Sequence, residues 1–255
     1  MKQKINDFHI HFGQFREYLF EAEHIKNLIE AIGINKLGIM PTSTSGTQDY
    51  EWEISEAKKI MELLPNQAVP YLRVYPEMLE KSNDLSLYND LPYKLIKIHG
   101  YAHDWDPKGK ALERIYEIAK ERKLPILFHT GGREESDAGQ YLHFSKKFKD
   151  VTVVLAHGRP VEQAISVMQD CENVYTDTAF MALNDIQTIV DANLGERIIF
   201  GTDFPINIAF FDDEPEDWYL KTVNNLKERF SDNLFNLWSN HNFNKILNIS
   251  DTRIS

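Results

Sequence analysis

The segment Asp7-Phe-His9-Ile-His11 sets two imidazoles two residues apart at the end of an apolar run. Side chains alternate faces along an extended chain, so His9 and His11 share one face. Two neutral imidazoles on one face can ligate a single divalent ion. Taken alone, the pair reads equally well as a strand end satisfied by backbone and water. The pattern recurs, however, in Leu-Phe-His129-Thr-Gly-Gly, Leu-Ala-His157-Gly and Phe-Gly-Thr-Asp203-Phe-Pro. Each polar residue ends a short apolar run just before a turn. Three imidazoles and a carboxylate suffice to hold a divalent ion and leave room for water.

Other candidates stand at similar places. Leu-Ile-Lys97-Ile-His99-Gly puts a lysine and a histidine on one face. An interior lysine is costly unless paired. Lys97 therefore reads as an anion anchor, a proton carrier or a carbamylated metal bridge, or as a stem with its ammonium in water. Arg73 and Arg133 are candidates for a bidentate grip on a substrate carboxylate, with a surface ion pair as the plain alternative. Asp177 ends an apolar run and is placed to orient a metal ligand or a substrate. His24, His103, His143 and His241 read as surface or packing residues, Cys171 as a small buried hydrophobe, and the acidic stretch Asp212–Asp217 as a solvated loop that could border a pocket.

The elements that must position these residues alternate from end to end. Strand-like runs at Ile5–Ile10, Lys36–Pro41, Ala68–Val74, Leu95–His99, Leu124–His129, Val151–His157, Val174–Asp177 and Arg197–Asp203 each precede a helix-like segment. Those segments are Glu17–Ile32, Glu51–Leu64, Glu77–Asn89, Pro107–Lys123, Ser136–Lys149, Pro160–Gln169, Leu183–Asn193 and Asp217–Arg229. A further helix is expected over Ser231–Ile249, with Ser231 as its N-cap. Runs such as Thr152–Ala156 are apolar without alternation, as suits strands covered on both faces. Eight strand–helix units in 255 residues predict a single-domain (β/α)₈ TIM barrel spanning 1–255 with an extra C-terminal helix. Strand C-terminal ends converge on one face of such a barrel, so the candidate residues would meet there. The first strand lacks a G-x-G-x-x-G sequel, which argues against a dinucleotide fold.

A net charge of −11 disfavours nucleic acid and anionic membrane as partners and leaves a small molecule, with assembly of identical chains open. One cysteine excludes an internal disulfide and fits a reducing cytoplasm. Residues Met1 to Phe12 do not read as a signal peptide, and no window approaches a membrane span.

On these motifs the sequence resembles the amidohydrolase superfamily, in particular the branch of TIM-barrel metal-dependent hydrolases that includes aminocarboxymuconate-semialdehyde decarboxylase. Asp7-Phe-His9-Ile-His11, Lys97-Ile-His99, His129, Leu155-Ala-His157-Gly and Phe200-Gly-Thr-Asp203-Phe-Pro carry the likeness, which runs from Asp7 to about Leu247. The tail Asn242-Phe-Asn-Lys-Ile-Leu247 is similar to the branch's closing helix, with Phe243 where a small residue is usual. PHP phosphoesterases and TatD-type nucleases match less well, because Phe204-Pro205 follows Asp203 and a lysine stands at position 97. The resemblance implies one divalent ion, zinc, on His9, His11, His129 and Asp203, and a second ion only if Lys97 is carbamylated. It implies catalysis by His157 and Asp203 through a metal-bound hydroxide on a C–N or C–O acyl bond, an amide or a lactone. The rival readings are a metal-dependent non-oxidative decarboxylase of a small carboxylic acid and, less in keeping with the intact ligand set, a binding barrel without catalysis.

Overall fold

The computed structural model describes residues 4–42, 50–86, 89–211 and 213–250. Its strands are β1 Asn6–Phe15, β2 Tyr18–Phe20, β3 Lys36–Pro41, β4 Ala68–Pro70, β5 Leu72–Arg73, β6 Ile96–Ile98, β7 Ile126–His129, β8 Val153–Ala156, β9 Val174–Asp177 and β10 Ile198–Ile199. β1 pairs in parallel with β3 and β3 with β4; β5 through β10 continue in order. β4 and β5 are one strand interrupted at Tyr71. Closure comes from backbone bonds beyond β10: Phe8 N–H donates to Phe200 O at 2.9 Å, Asp203 N–H to His9 O at 2.8 Å and His11 N–H to Phe204 O at 2.7 Å. The result is a (β/α)₈ TIM barrel, with β2 a short hairpin added to β1.

Inside the barrel, alternate residues divide the interior. Phe8, Met40, Tyr71, Leu95, Leu127, Val154, Tyr175 and Ile199 form an apolar plug. Two residues further along β6, β7 and β9 the same faces carry Lys97, His129 and Asp177. The plug therefore forms a dry floor under a polar upper layer. β1 reaches this arrangement through a bulge: Asp7 pairs with Leu37 and Ile10 with Ile39, so Phe8 and His9 together oppose Gly38. The extra residue flips the alternation, which lets Phe8 join the plug while His9 and His11 face the upper layer. Gly38 is required there, because a Cβ would lie 2.1 Å from the Tyr71 hydroxyl.

The helices are α1 Ala22–Ile32, α2 Tyr50–Leu63, α3 Pro76–Lys81, α4 Lys110–Arg122, α5 Leu142–Lys147, α6 Val161–Asp170, α7 Leu183–Asp191, α8 Pro215–Arg229, α9 Asp232–Asn236 and α10 Asn242–Ile246. Apolar positions at helical spacing bury one face of each against the strands; in α1 these are Ala22, Ile25 and Ile29. α1 stops at Gly33, whose φ of 80° suits glycine and whose N–H closes on Ile29 O. Below the plug, Phe243 of α10 is fully buried and meets Phe8 edge-on at 6.2 Å. The unusual phenylalanine thus seals the base of the barrel, where burial of such a ring stabilises by about 2–3 kcal/mol.

Several expected elements differ. The start of Glu17–Ile32 is the strand β2, held by pairing with β1. Within Glu77–Asn89 the helix ends at Lys81, and residues 87–88 lie outside the described residues, as does Asp212. Ser136–Lys149 opens with 3₁₀ turns before α5. The last barrel strand is only Ile198–Ile199, because Phe200 N–H turns to Trp238 O. Ser231 does cap its helix, accepting from Leu234 N–H at 3.3 Å, but a π turn over Leu237–His241 separates α9 from α10. Among the described residues no helix is long and apolar enough to cross a membrane.

Candidate metal centre

At the C-terminal mouth of the barrel, His9 Nε2 and His11 Nε2 stand 3.2 Å apart and lie 2.9 and 2.7 Å from Asp203 Oδ1. The tautomers follow from the other ring nitrogens. His9 Nδ1 donates to Asp177 Oδ2 at 2.7 Å, and His11 Nδ1 donates to Pro41 O at 3.3 Å. With the protons on Nδ1, both Nε2 atoms present lone pairs. Two lone pairs and a carboxylate oxygen crowded together in a buried site repel unless a cation sits among them. Among the described residues these three are the ones whose donor atoms lie close enough to hold one ion. The set of two imidazoles and one carboxylate fits a divalent ion of the zinc type.

Charge is balanced around this cluster. Burial pushes the Asp203 carboxyl up, but His9 and His11 outweigh it and hold it well below the usual carboxylate range. Burial and Lys97 push His9 down, and Asp203 and Asp177 more than offset them, so its pKa ends raised. Burial dominates at His11 and lowers it. Asp177 also accepts from the backbone N–H of His157 at 2.8 Å and of Ala179 at 3.1 Å. Its Oδ2 thus faces the His9 ring while its Oδ1 takes the two backbone N–H groups. Asp7 lies beneath, accepting from His9 N–H at 2.9 Å and from the Thr202 hydroxyl at 2.6 Å. Gly201 leaves space for the His9–Asp177 pair, since a Cβ there would stand 2.9 Å from His9 Cβ. His157 and Asp203 both adopt left-handed backbone, at φ 70° and 63°. Such strain in non-glycine residues is characteristic of functional sites.

His129 does not join the three-residue cluster. His157 Nδ1 donates to Ala179 O at 3.0 Å, so its Nε2 is an acceptor, and His129 Nδ1 donates to it at 3.1 Å. His99 stacks flat on His129 with centroids 3.9 Å apart, and its Nδ1 has no partner. Burial, with the neighbouring imidazoles, pushes His129 and His99 well below the usual histidine value, and burial takes His157 to about 4. These three imidazoles form a neutral bank beside the cluster. Lys97 Nζ lies 3.4 Å from His9 Nε2, and burial lowers its pKa to about 8 against the pull of Asp203 and Asp177. Its ammonium is directed at the cluster and forms no direct ion pair with Asp177.

The two arginines expected to grip substrate do not reach the site. Arg73 is buried in an ion pair with Glu53, bonds Thr42 O and lies 4.6 Å over the Tyr75 ring. Arg133 is exposed, 3.8 Å from Glu135 and over the Tyr101 ring. The cavity above the cluster, about 450 Å³, is instead lined by Arg159 together with Phe180, Phe210 and Phe211. Arg159 follows His157-Gly158 directly, and that adjacency was the available sequence signal for it. The phenylalanines lie in loops with no such mark.

A family model described as Amidohydrolase matches residues 89–228. No curated protein matches the chain. Among solved structures, the chain is similar to an amidohydrolase from Burkholderia multivorans with bound zinc, at 10% identity, covering 97% of this chain and 100% of that one, with a TM-score of 0.71. It is similar to a probable 2-pyrone-4,6-dicarboxylic acid hydrolase from Acinetobacter baumannii with citric acid bound, at 11% identity, 96% and 100% coverage and a TM-score of 0.68. It is also similar to 5-carboxyvanillate decarboxylase from Sphingomonas paucimobilis, at 8% identity, 97% and 99% coverage and a TM-score of 0.69. At these identities the likeness establishes the fold.

Proposed function

The chain belongs to the amidohydrolase family, and from that premise we propose that it is a metal-dependent hydrolase cleaving a C–N or C–O acyl bond, amide or lactone, in a small substrate. The observation that carries this reading is the convergence of His9 Nε2, His11 Nε2 and Asp203 Oδ1 at the floor of one cavity. A divalent ion held there would act as a Lewis acid and make water reactive near neutral pH. His9, His11 and Asp203 would hold the ion. Asp203 carries a free carboxylate oxygen that can take a proton from water and return it to the leaving group. His157, whose Nδ1 proton is held by Ala179 O, orients His129 through its Nε2 lone pair, and that same acceptor can take a hydrogen bond from the attacking water. His129 completes the ligand set if its free Nε2 swings toward the cluster.

Non-oxidative decarboxylation is the second reading, and the buried Lys97 ammonium beside His9 favours it, because that charge would draw a carboxylate to the cluster. Elemental analysis of the purified protein and a screen of lactones, amides and aromatic carboxylic acids test both. About one divalent ion per chain, lost in His11→Ala, with turnover of an amide or lactone, is the expected result. Turnover confined to carbon dioxide release would establish the second reading instead.

A further inference from the structure

We propose that the substrate is a ring-bodied, aromatic acyl compound bearing a carboxylate, with its ring against Phe180, Phe210 and Phe211 and its carboxylate on Arg159. For the bond that is cleaved, the inference rests on the hydrolase reading above. Phe210 and Phe211 are 53% and 44% exposed, unusual for large apolar side chains, and both face the cavity over the cluster. Their rings are held in place. Phe211 stacks on Phe180 at 6.1 Å and on Trp218 at 5.7 Å, while Phe210 meets Phe180 edge-on at 5.8 Å and carries the Arg16 guanidinium 4.6 Å from its centroid. A preset aromatic wall beside a polar floor is what a planar ligand needs, since covering those faces removes apolar surface from water and allows ring-on-ring contact.

The cation stands on the same residue as the wall. Phe180 adopts a left-handed φ of 49°, which is rare for a bulky side chain. Its carbonyl accepts from Arg159 Nη2 at 2.6 Å while its ring packs on Phe211. Arg159 is fixed further by its backbone N–H, which donates to Thr130 Oγ1 at 2.8 Å, and by close packing of its Cβ over Gly131. Among the described residues Arg159 has no carboxylate partner, in a chain of net charge −11. A guanidinium lining a cavity with donors to spare selects a carboxylate. Lys97 stands beside His9 at the cluster, so its ammonium faces the end of the ligand that meets the cluster and leaves the distal carboxylate to Arg159.

The test is calorimetric titration of the purified protein with isophthalate and terephthalate, with adipate as the ringless diacid and benzamide as the uncharged ring. At least one phthalate isomer is expected to bind, with adipate and benzamide about tenfold weaker or worse. Arg159→Gln should weaken the phthalate by about tenfold and leave benzamide unchanged. Phe211→Ala should weaken phthalate and benzamide alike, and Phe211→Leu, which keeps the packing volume, serves if the alanine variant fails to fold. Adipate binding as tightly as the better phthalate, or an Arg159→Gln variant that binds phthalate normally, overturns the proposal. Hydrolysis of 4-acetoxybenzoate, in which water adds to the acyl carbon and acetate and 4-hydroxybenzoate separate, is followed in parallel. No acyl cleavage with the binding order intact counts against the hydrolase reading and supports the aromatic slot. Cleavage of aliphatic esters with the same kcat/KM overturns the slot and leaves the hydrolase reading standing.

Discussion

Asp177 Oδ2 receives the Nδ1 proton of His9 at 2.7 Å, and both side chains are fully buried. That bond decides which nitrogen of His9 faces Asp203. Asp177→Asn would preserve size and could still accept from the His157 and Ala179 N–H groups. Its amide, however, can offer a donor to His9 Nδ1 and reverse the tautomer. Zinc affinity should fall by about 10–100-fold, as expected when a carboxylate that orients a ligating histidine is lost. Competition against a chelator measures it, and an unchanged affinity would show that Asp177 does not set the tautomer.

Gly201→Ala probes the same pair sterically. The new methyl would stand 2.9 Å from His9 Cβ and 3.5 Å from Asp177 Cβ, inside a buried layer with no slack. The expected cost is about 1–3 kcal/mol of stability, together with reduced metal uptake. Thermal melts with and without zinc would separate the two effects. A variant as stable as the parent and equally well loaded would mean that the layer can yield.

His157 accepts from His129 at 3.1 Å and lies outside the His9–His11–Asp203 cluster. His157→Asn should therefore keep its metal and lose activity by about 10²–10⁴-fold, the range for removal of a proton-handling group. Elemental analysis beside kcat decides the matter. Metal loss as deep as in His9→Ala would move His157 into the ligand set.

Much of this was legible in the sequence, and the exceptions have physical causes. Lys36–Pro41 and Val174–Asp177 match their strands residue for residue, because short apolar runs between turns have few alternatives in a barrel. The histidine pair on β1 was legible as sharing a face, although the bulge that brings Phe8 inward was not, since it depends on Gly38 in another strand. Tyr18–Phe20 reads as helix locally and becomes strand only through pairing with Gly13–Phe15. Arg73 resembled a substrate anchor because its partner, Glu53, comes from α2 and is joined to it only by the fold. Arg159 is marked in the sequence only by its place directly after His157-Gly158, which does not say where its guanidinium lies. Its meaning comes from Phe180 across the mouth of the barrel.

Asp7 gives a prediction about pH. Burial pushes its carboxyl up to about 7 from 3.8, outweighing the lowering by Thr202 and the His9 N–H. A raised folded-state value favours the protonated form, so the stability it contributes is complete below about pH 3.8 and is lost as pH rises through about 7. Asp7→Asn keeps an oxygen for the His9 and Thr202 N–H groups and cannot ionise. With metal chelated, the variant should lose less Tm than the parent between about pH 4 and pH 7. Parallel Tm curves across that window would show that Asp7 is already ionised in the fold.

Lys97 decides between one ion and two. A carbamylated lysine bridging two ions would need ligands for the second ion, and His129 and His157 are the imidazoles at hand. Their facing nitrogens are already joined, His129 Nδ1 donating to His157 Nε2, and the Lys97 ammonium is directed at His9. With its pKa lowered only to about 8, the amine is mostly protonated at neutral pH, the form that does not react with carbon dioxide. Lys97→Met should therefore retain the principal ion while weakening binding of an anionic substrate by about tenfold or more, the loss of one charge-assisted hydrogen bond. A crystal structure grown with excess zinc is the direct measurement. An unmodified Lys97 beside a single ion is expected, and carbamate density bridging two ions about 3.5–4 Å apart would overturn the one-ion reading.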